Sequence, residues 1–303
     1  GRAEGLTAPL RFGVLGAAWI AGRAVLPALA SAAGCEVAAI ASRDRARAEA
    51  MARDHAVPRV HDSYEALIAD PDLDAVYLPL VNSLHRDWTL RALAAGKHVL
   101  CEKPLALSAA EAEEMAEAAE RSGLKLMEAL MYRFHPRVRS FLAEAKEADV
   151  VRVEASFGFP LTASENYRLV AALGGGALRD TGCYCVDAAR QILGEPVRVA
   201  AVGHLAGGVD WTAAAELYFE GGATASIWAS FESPERQELV VVAQAGERRL
   251  AQPFTAWRDP DDPYRLMCEG FCEAVRTSGP VPVPLEGSIA NLRVLDAILE
   301  QLG

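Results

Sequence analysis

The chain has 303 residues, of which 51% are hydrophobic, 23% charged and 7% aromatic, a composition that excludes a disordered or low-complexity protein. Its 30 Lys and Arg against 41 Asp and Glu leave a net charge of −11, which disfavours a nucleic-acid backbone or an anionic membrane as partner. At this length single cores begin to split into two domains, and no run approaches the roughly 18 apolar residues of a membrane helix.

From the N-terminus, apolar runs of strand length alternate with stretches of helical period. Leu10 to Gly16 reads as a strand followed by an alanine-rich helix to about Ala33. Glu36 to Ala41 is a second strand leading into a charged helix around Asp44 to His55, and Asp74 to Leu78 is a third, stopped by Pro79. A helix from Ser83 ends at Gly96, the strand His98 to Cys101 follows, and Ser108 with Glu111 forms a capping box for a helix that stops at Gly123. Lys125 to Glu128 is the fifth strand. This rhythm predicts βαβ units and a parallel sheet covered on both faces.

After about residue 148 come a longer strand from Val150 to Phe157, a glycine-rich stretch, one helix near Asp187 to Leu193 and then consecutive strands. Segregated strands and helices predict an α+β domain with an antiparallel sheet. Ala215, Leu217 and Phe219, and then Ala225, Ile227, Ala229 and Phe231, mark one core face, with Gly221-Gly222 as a two-residue hairpin turn between them. Tyr218 and Trp228 project from the other face and suggest a subunit interface. Two closing helices carry Met267, Cys268, Phe271 and Val275, and Ile289, Leu292, Leu295, Leu299 and Leu302.

The first βα turn places Gly16, Ala18 and Ala21 at the three small positions of the dinucleotide fingerprint, for a tight turn, close approach of a pyrophosphate and helix packing. A small-residue helix start without a ligand is the plain alternative. At the end of the second strand stands Ser42-Arg43 where an acidic residue would bind a free ribose hydroxyl, and a guanidinium there suits a 2′-phosphate. NADP is therefore expected, with NAD as the alternative. Glu102-Lys103-Pro104 follows the fourth strand at the end where ligands of open α/β sheets bind, and proline restricts Lys103 to an extended geometry. Further on, Asp180 and Tyr184 lie four apart and share one face if helical. The six cysteines and six histidines show no zinc-ribbon or His-Glu-x-x-His spacing, so reduced thiols and no metal are expected. The first ten residues lack a cationic stretch before an apolar run, which makes a cytoplasmic location the expectation.

These motifs, in this order, resemble those of the glucose–fructose oxidoreductase/inositol dehydrogenase/MocA family. The matching stretches are Gly13 to Ala21, Leu80 to His85, Ala95 to Pro104, Met127 to Pro136 and Gly174 to Asp187. The resemblance implies an α/β fold with an N-terminal Rossmann domain, a doubly wound parallel sheet placed at residues 1–127. It also implies a C-terminal α+β domain at 128–303 with an open, mainly antiparallel sheet that mediates assembly into a homodimer or homotetramer. It further implies hydride transfer between NAD(P) and a sugar or cyclic polyol. The family's catalytic lysine falls on Lys103, its substrate-side aspartate on Asp180 and its acid/base residue on Tyr184. The implied cofactor-binding set is Gly16, Ala18, Trp19, Ile20, Ser42, Arg43, Leu80, Asn82, His85, Glu102 and Lys103. Tyrosine at 184 with Ser42-Arg43 is similar to the NADP-dependent branch of D-xylose and dihydrodiol dehydrogenases.

A tyrosine with a reference pKa of about 10 needs its anion stabilised to act as a base at neutral pH, and a lysine ammonium supplies that. Tyr184 is accordingly expected as proton donor and acceptor, Lys103 as its electrostatic partner or as the direct acid, and Asp180 as a ligand of a substrate hydroxyl. Arg133 and His135 are candidates to reach the substrate, with a structural role equally open. Specificity should be written between Phe157 and Leu173, where no local motif names a ligand. A non-catalytic NADP-binding sensor of the same fold and a trans-dihydrodiol dehydrogenase are the alternative functions.

Overall fold

The computed structural model describes residues 8–163, 165–255 and 260–303, and these form two compact units. In the first, strands β1 (Leu10–Leu15), β2 (Cys35–Ala41), β3 (Arg59–His61), β4 (Ala75–Leu78), β5 (His98–Cys101) and β6 (Leu126–Glu128) form one parallel sheet. Their order is β3-β2-β1-β4-β5-β6. Val14, Leu15, Ile40, Val76, Tyr77, Leu78, Val99 and Leu100 are fully buried, as strands covered on both faces require. The helices of this part are α1 (Leu26–Ser31), α2 (Arg45–Asp54), α3 (Tyr64–Ile68), α4 (His85–Ala94) and α5 (Ala109–Ser122). Strand order reverses between β1 and β4, and such a switch point opens a crevice at the C-terminal strand ends where ligands bind.

The sequence pattern yields five strands here and the structure has six. The additional pair, β3 and α3, is short and escapes periodicity: β3 is three half-buried residues at the sheet edge, and α3 is five residues whose start is marked by Ser63 accepting from the Ala66 amide at 3.0 Å.

In the second unit α6 (Pro136–Lys146) and α7 (Cys183–Leu193) accompany strands β7 (Val150–Gly158), β8 (Pro196–Ala206), β9 (Val209–Phe219), β10 (Thr224–Ser230), β11 (Arg236–Ala243) and β12 (Gly246–Ala251). The sheet runs β12-β11-β7-β10-β9-β8, and only the β7–β10 pair is parallel. Leu217 faces Ala225 and Ala215 faces Ile227, so the predicted alternation puts one apolar set on the core side. The β9–β10 link is longer than the two-residue turn expected: it runs from Glu220 to Ala223, closed by the Phe219 amide on the Ala223 carbonyl at 2.9 Å.

Residues 106–110, which include the start of α5, already cluster with the second unit, and the chain passes to that unit for the long stretch that follows between Met131 and Tyr132. Helix α8 (Pro263–Thr277), expected with the C-terminal domain, belongs to the first unit, where Phe271 meets Phe12 at 6.0 Å and the Arg276 guanidinium donates to the Gly34 carbonyl at 2.8 Å. Helix α9 (Leu285–Leu302) completes the second unit. Among the described residues no helix is long and apolar enough to cross a membrane.

Candidate active site

At the end of β1 the chain turns at Gly16, whose φ of +112° is a conformation that glycine adopts without strain. A β-carbon there would lie 3.1 Å from Leu80 and 3.7 Å from the Tyr64 hydroxyl, so this small residue keeps the crevice between β1 and β4 open. The helix that follows starts at Trp19, which is 71% exposed, and passes through a wide π-type turn at Ala21–Val25 before α1. Ala18 and Ile20 are half-buried beside it. Ser42 and Arg43 follow β2, with the Ser42 hydroxyl accepting from the Asp44 amide at 3.2 Å. Arg47, which sequence reasoning passed over, reaches back from α2 to the Ala17 carbonyl at 2.8 Å. Burial pushes the Tyr64 phenol up and the neighbouring Arg43 and Arg47 pull it down. An open glycine turn and a helix start after β1, with two exposed arginines after β2, fit a phosphorylated dinucleotide.

The next two motifs of this unit are held together by His85. Its ring is fully buried, with Nδ1 2.8 Å from the Pro104 carbonyl and Nε2 2.9 Å from the Leu80 carbonyl. Burial draws its pKa below the ordinary histidine range, while the carbonyls act in the opposite sense. Both ring nitrogens thus lie on backbone carbonyls, and His85 ties the Leu80 segment to the Lys103-Pro104 segment. Glu102 accepts from the Tyr77 hydroxyl at 2.7 Å and from the Lys103 amide at 3.2 Å, so its carboxylate shapes the segment that carries Lys103. The Lys103–Pro104 peptide is cis. Asn82 opens the short helical turn before α4.

In the second unit Asp180 and Tyr184 stand on one continuous helix, Asp180 in a π-type turn (Leu178–Gly182) and Tyr184 in α7. Such turns insert a residue into the helix and recur at functional sites. Tyr184 is 8% exposed and is walled by Tyr132, Phe157 and Phe254, with ring centroids 5.7, 5.9 and 5.7 Å away. Asp180 accepts from the Arg168 Nε at 2.7 Å. The helix start is held from below by Asp210 of β9, which accepts from the Leu178 amide at 2.6 Å. Arg133 donates to Gln191 at 3.2 Å and lies 4.0 Å from buried Asp187, and His135 caps α6 by accepting from the Arg137 amide at 3.1 Å.

Residues 10–130 match the oxidoreductase family with an NAD-binding Rossmann fold, and residues 135–248 match the GFO/IDH/MocA C-terminal domain. The chain belongs to the GFO/IDH/MocA oxidoreductase family. Within that family it is 41% identical to an NADP-dependent D-xylose 1-dehydrogenase of Haloferax volcanii, over 96% of this chain and 97% of that one. It is 39% identical to the trans-1,2-dihydrobenzene-1,2-diol dehydrogenase of Oryctolagus cuniculus, over 72% of this chain and 68% of the relative. A 3-ketoreductase variant from Actinomadura kijaniata, solved with TDP-benzene and NADP, superposes with a TM-score of 0.89 at 31% identity, covering 97% of this chain and 98% of that one.

As a GFO/IDH/MocA oxidoreductase, the chain carries Gly16, Leu80 and Lys103 in its first unit and Asp180 and Tyr184 in its second. Arg47, Tyr64, Arg168 and Asp210 are the residues of these surroundings that sequence reasoning missed. Only Arg168 had a signal, since it falls inside the stretch expected to set specificity.

Proposed function

We propose that this chain is an NADP-dependent oxidoreductase that interconverts a carbinol and a carbonyl on a sugar or cyclic polyol. The observation that carries the reading is Tyr184, a nearly buried phenol walled by aromatic rings, on the same helix as a carboxylate. The NADP dependence of the Haloferax relative and the Ser42-Arg43 pair after β2 support the cofactor choice. Gly16, Ala18, Trp19, Ile20, Ser42, Arg43, Leu80, Asn82, His85, Glu102 and Lys103 are the residues assigned to hold it, within a cofactor domain at residues 1–127. Bound nicotinamide supplies or accepts the hydride.

The remaining work is proton transfer and positioning. Tyr184 gives its hydroxyl proton to the substrate oxygen when a carbonyl is reduced and takes it back when a carbinol is oxidised. A phenol with an ordinary pKa of about 10 is a weak base at neutral pH, so a cation is needed to bring the phenolate within reach. Lys103 is assigned that electrostatic role and the polarisation of the substrate oxygen. Asp180 accepts from a substrate hydroxyl.

The outer face of the second sheet suits a homodimer or homotetramer contact: the Arg198 guanidinium covers Tyr218 at 3.5 Å, and Arg152 gathers Glu216, Thr224 and Ser226. Sedimentation velocity tests this, and a monomer at all concentrations would refute it. A cytoplasmic location completes the proposal. Activity is tested with D-xylose, D-glucose, inositols, a trans-dihydrodiol and a 3-keto sugar against NADP(H) and NAD(H), read by nicotinamide absorbance. Turnover of a sugar with preference for NADP(H) is expected. Tight NADPH binding with no turnover of any of them would overturn the enzymatic reading in favour of a sensor, and turnover of the dihydrodiol alone would move the substrate class.

A further inference from the structure

The segment from Asn166 to Gly176 builds one arginine firmly against the helix of Asp180 and Tyr184. Asn166 Oδ1 accepts from the Arg168 amide at 3.0 Å, and the Arg168 carbonyl accepts from the Gly176 amide at 2.9 Å. A β-carbon at residue 175 would collide with that carbonyl, so glycine is what lets the strap close. From this anchored backbone the side chain crosses the face of Tyr167 at 4.8 Å, passes 5.9 Å from the Phe159 ring and puts Nε on Asp180 Oδ2 at 2.7 Å. The side chains of Arg168 and Asp180 are 29% and 12% exposed. Nη1 and Nη2 make no hydrogen bond among the described residues. Burial, the largest single influence, would lower the guanidinium pKa, yet Asp180, Tyr167 and Tyr184 together outweigh it and the pKa is raised.

Resting on the oxidoreductase reading above, we propose that Arg168 is a substrate-binding and specificity-determining residue, whose two terminal nitrogens donate to a hydroxyl oxygen of the polyhydroxy substrate away from the reacting carbon. Asp180 supplies the counter-charge, so the pair presents donors without net charge and selects a neutral polyol over an anion. Holding Nε on Asp180 also fixes the plane of the fork, which limits the entropy lost when the substrate binds.

The test is a cycle between the residue and the substrate. Wild type, Arg168→Met and Arg168→Lys are assayed with the best sugar of the panel and its set of monodeoxy analogues, alongside NADPH affinity and melting temperature. Arg168→Met should lower kcat/KM for the parent sugar roughly tenfold to a hundredfold, mainly through KM, with NADPH affinity unchanged. Against one deoxy analogue that loss should vanish, because the partner hydroxyl is already missing. Arg168→Lys keeps the charge and loses the fork; it should show the same non-additivity and serves if the methionine variant fails to fold. Losses that simply add for every analogue would overturn the proposal, as would an unchanged KM in both variants. A wild-type enzyme that turns over no sugar or polyol overturns the oxidoreductase reading instead.

Discussion

Replacing Asp210 with asparagine should change how stability depends on pH, and by an amount set by the geometry of one carboxylate. Asp210 is 3% exposed, accepts from the Leu178 amide and sits against Gly176. Burial raises its pKa, and the amides of Leu178, Asp210 and Ala177 and the charge of Arg179 counter only part of that, leaving it pushed up from 3.8 to about 6. Because the folded state holds this proton more tightly than the unfolded chain, the stabilisation is full below the unfolded pKa and is lost as pH rises through the folded one. At about 1.4 kcal/mol per pH unit, the shift corresponds to about 3 kcal/mol. Asparagine keeps the shape and a carbonyl for Leu178 but does not titrate. Urea unfolding of both proteins from about pH 4 to about pH 8 gives the difference curve, in which every other carboxylate cancels. The stability of wild type relative to Asp210→Asn should fall by about 2 kcal/mol across the window, the rest of the shift lying below about pH 4, and most of the fall coming before about pH 6. A flat difference, or one that rises with pH, would refute the reasoning.

Arg43→Ala should raise the NADP dissociation constant roughly tenfold to a hundredfold and leave that of NAD nearly unchanged, measured by nicotinamide fluorescence titration; equal effects on both would argue against a 2′-phosphate contact. Tyr184→Phe should cut kcat by roughly 10²–10⁴-fold while NADPH binding survives, and Lys103→Met should act likewise; turnover near wild type in both would remove the proton-transfer assignment. His85→Leu leaves the Leu80 and Pro104 carbonyls without their buried ring partner, and should cost about 1–3 kcal/mol in denaturant unfolding and weaken NADPH binding. Loss of stability alone would confine His85 to the fold.

Much of the fold was legible because its cause is local. Apolar runs bounded by glycine or proline gave β1, β2, β4 and β5 within about two residues, since strands buried on both faces tolerate little else. Where burial is partial the signal fails: β3 is a half-buried edge of Arg59, Val60 and His61, which reads as a loop. The assignment of α8 to the first unit was likewise invisible, because its apolar stripe says that a face is buried but not against what. His85 shows a related limit: its place in a motif says nothing of what its ring touches, and only the fold shows both ring nitrogens on carbonyls of two loops.

The glycine-rich stretch before Asp180 shows how a site can be encoded by absent atoms. In the sequence Gly174-Gly175-Gly176 is a glycine-rich stretch at the start of a family-like motif, with nothing to say what the missing side chains make room for. In the fold, the missing β-carbon of Gly175 admits the Arg168 carbonyl, and that of Gly176 admits the Asp210 carboxylate. One gap fastens the arginine that meets Asp180, and the other fastens the acid that holds the start of the same helix. The second partner is far off in sequence: Asp210 arrives on β9 and pairs 32 residues away from Leu178. The stretch is therefore a clamp rather than a hinge, and an alanine at Gly175 should damage binding through the placement of Arg168 while leaving the first unit intact. Sugar KM and NADPH affinity, measured on that variant together, separate the two: a rise in KM with unchanged NADPH affinity is expected, and a parallel loss of both would mean that the clamp serves the fold as a whole.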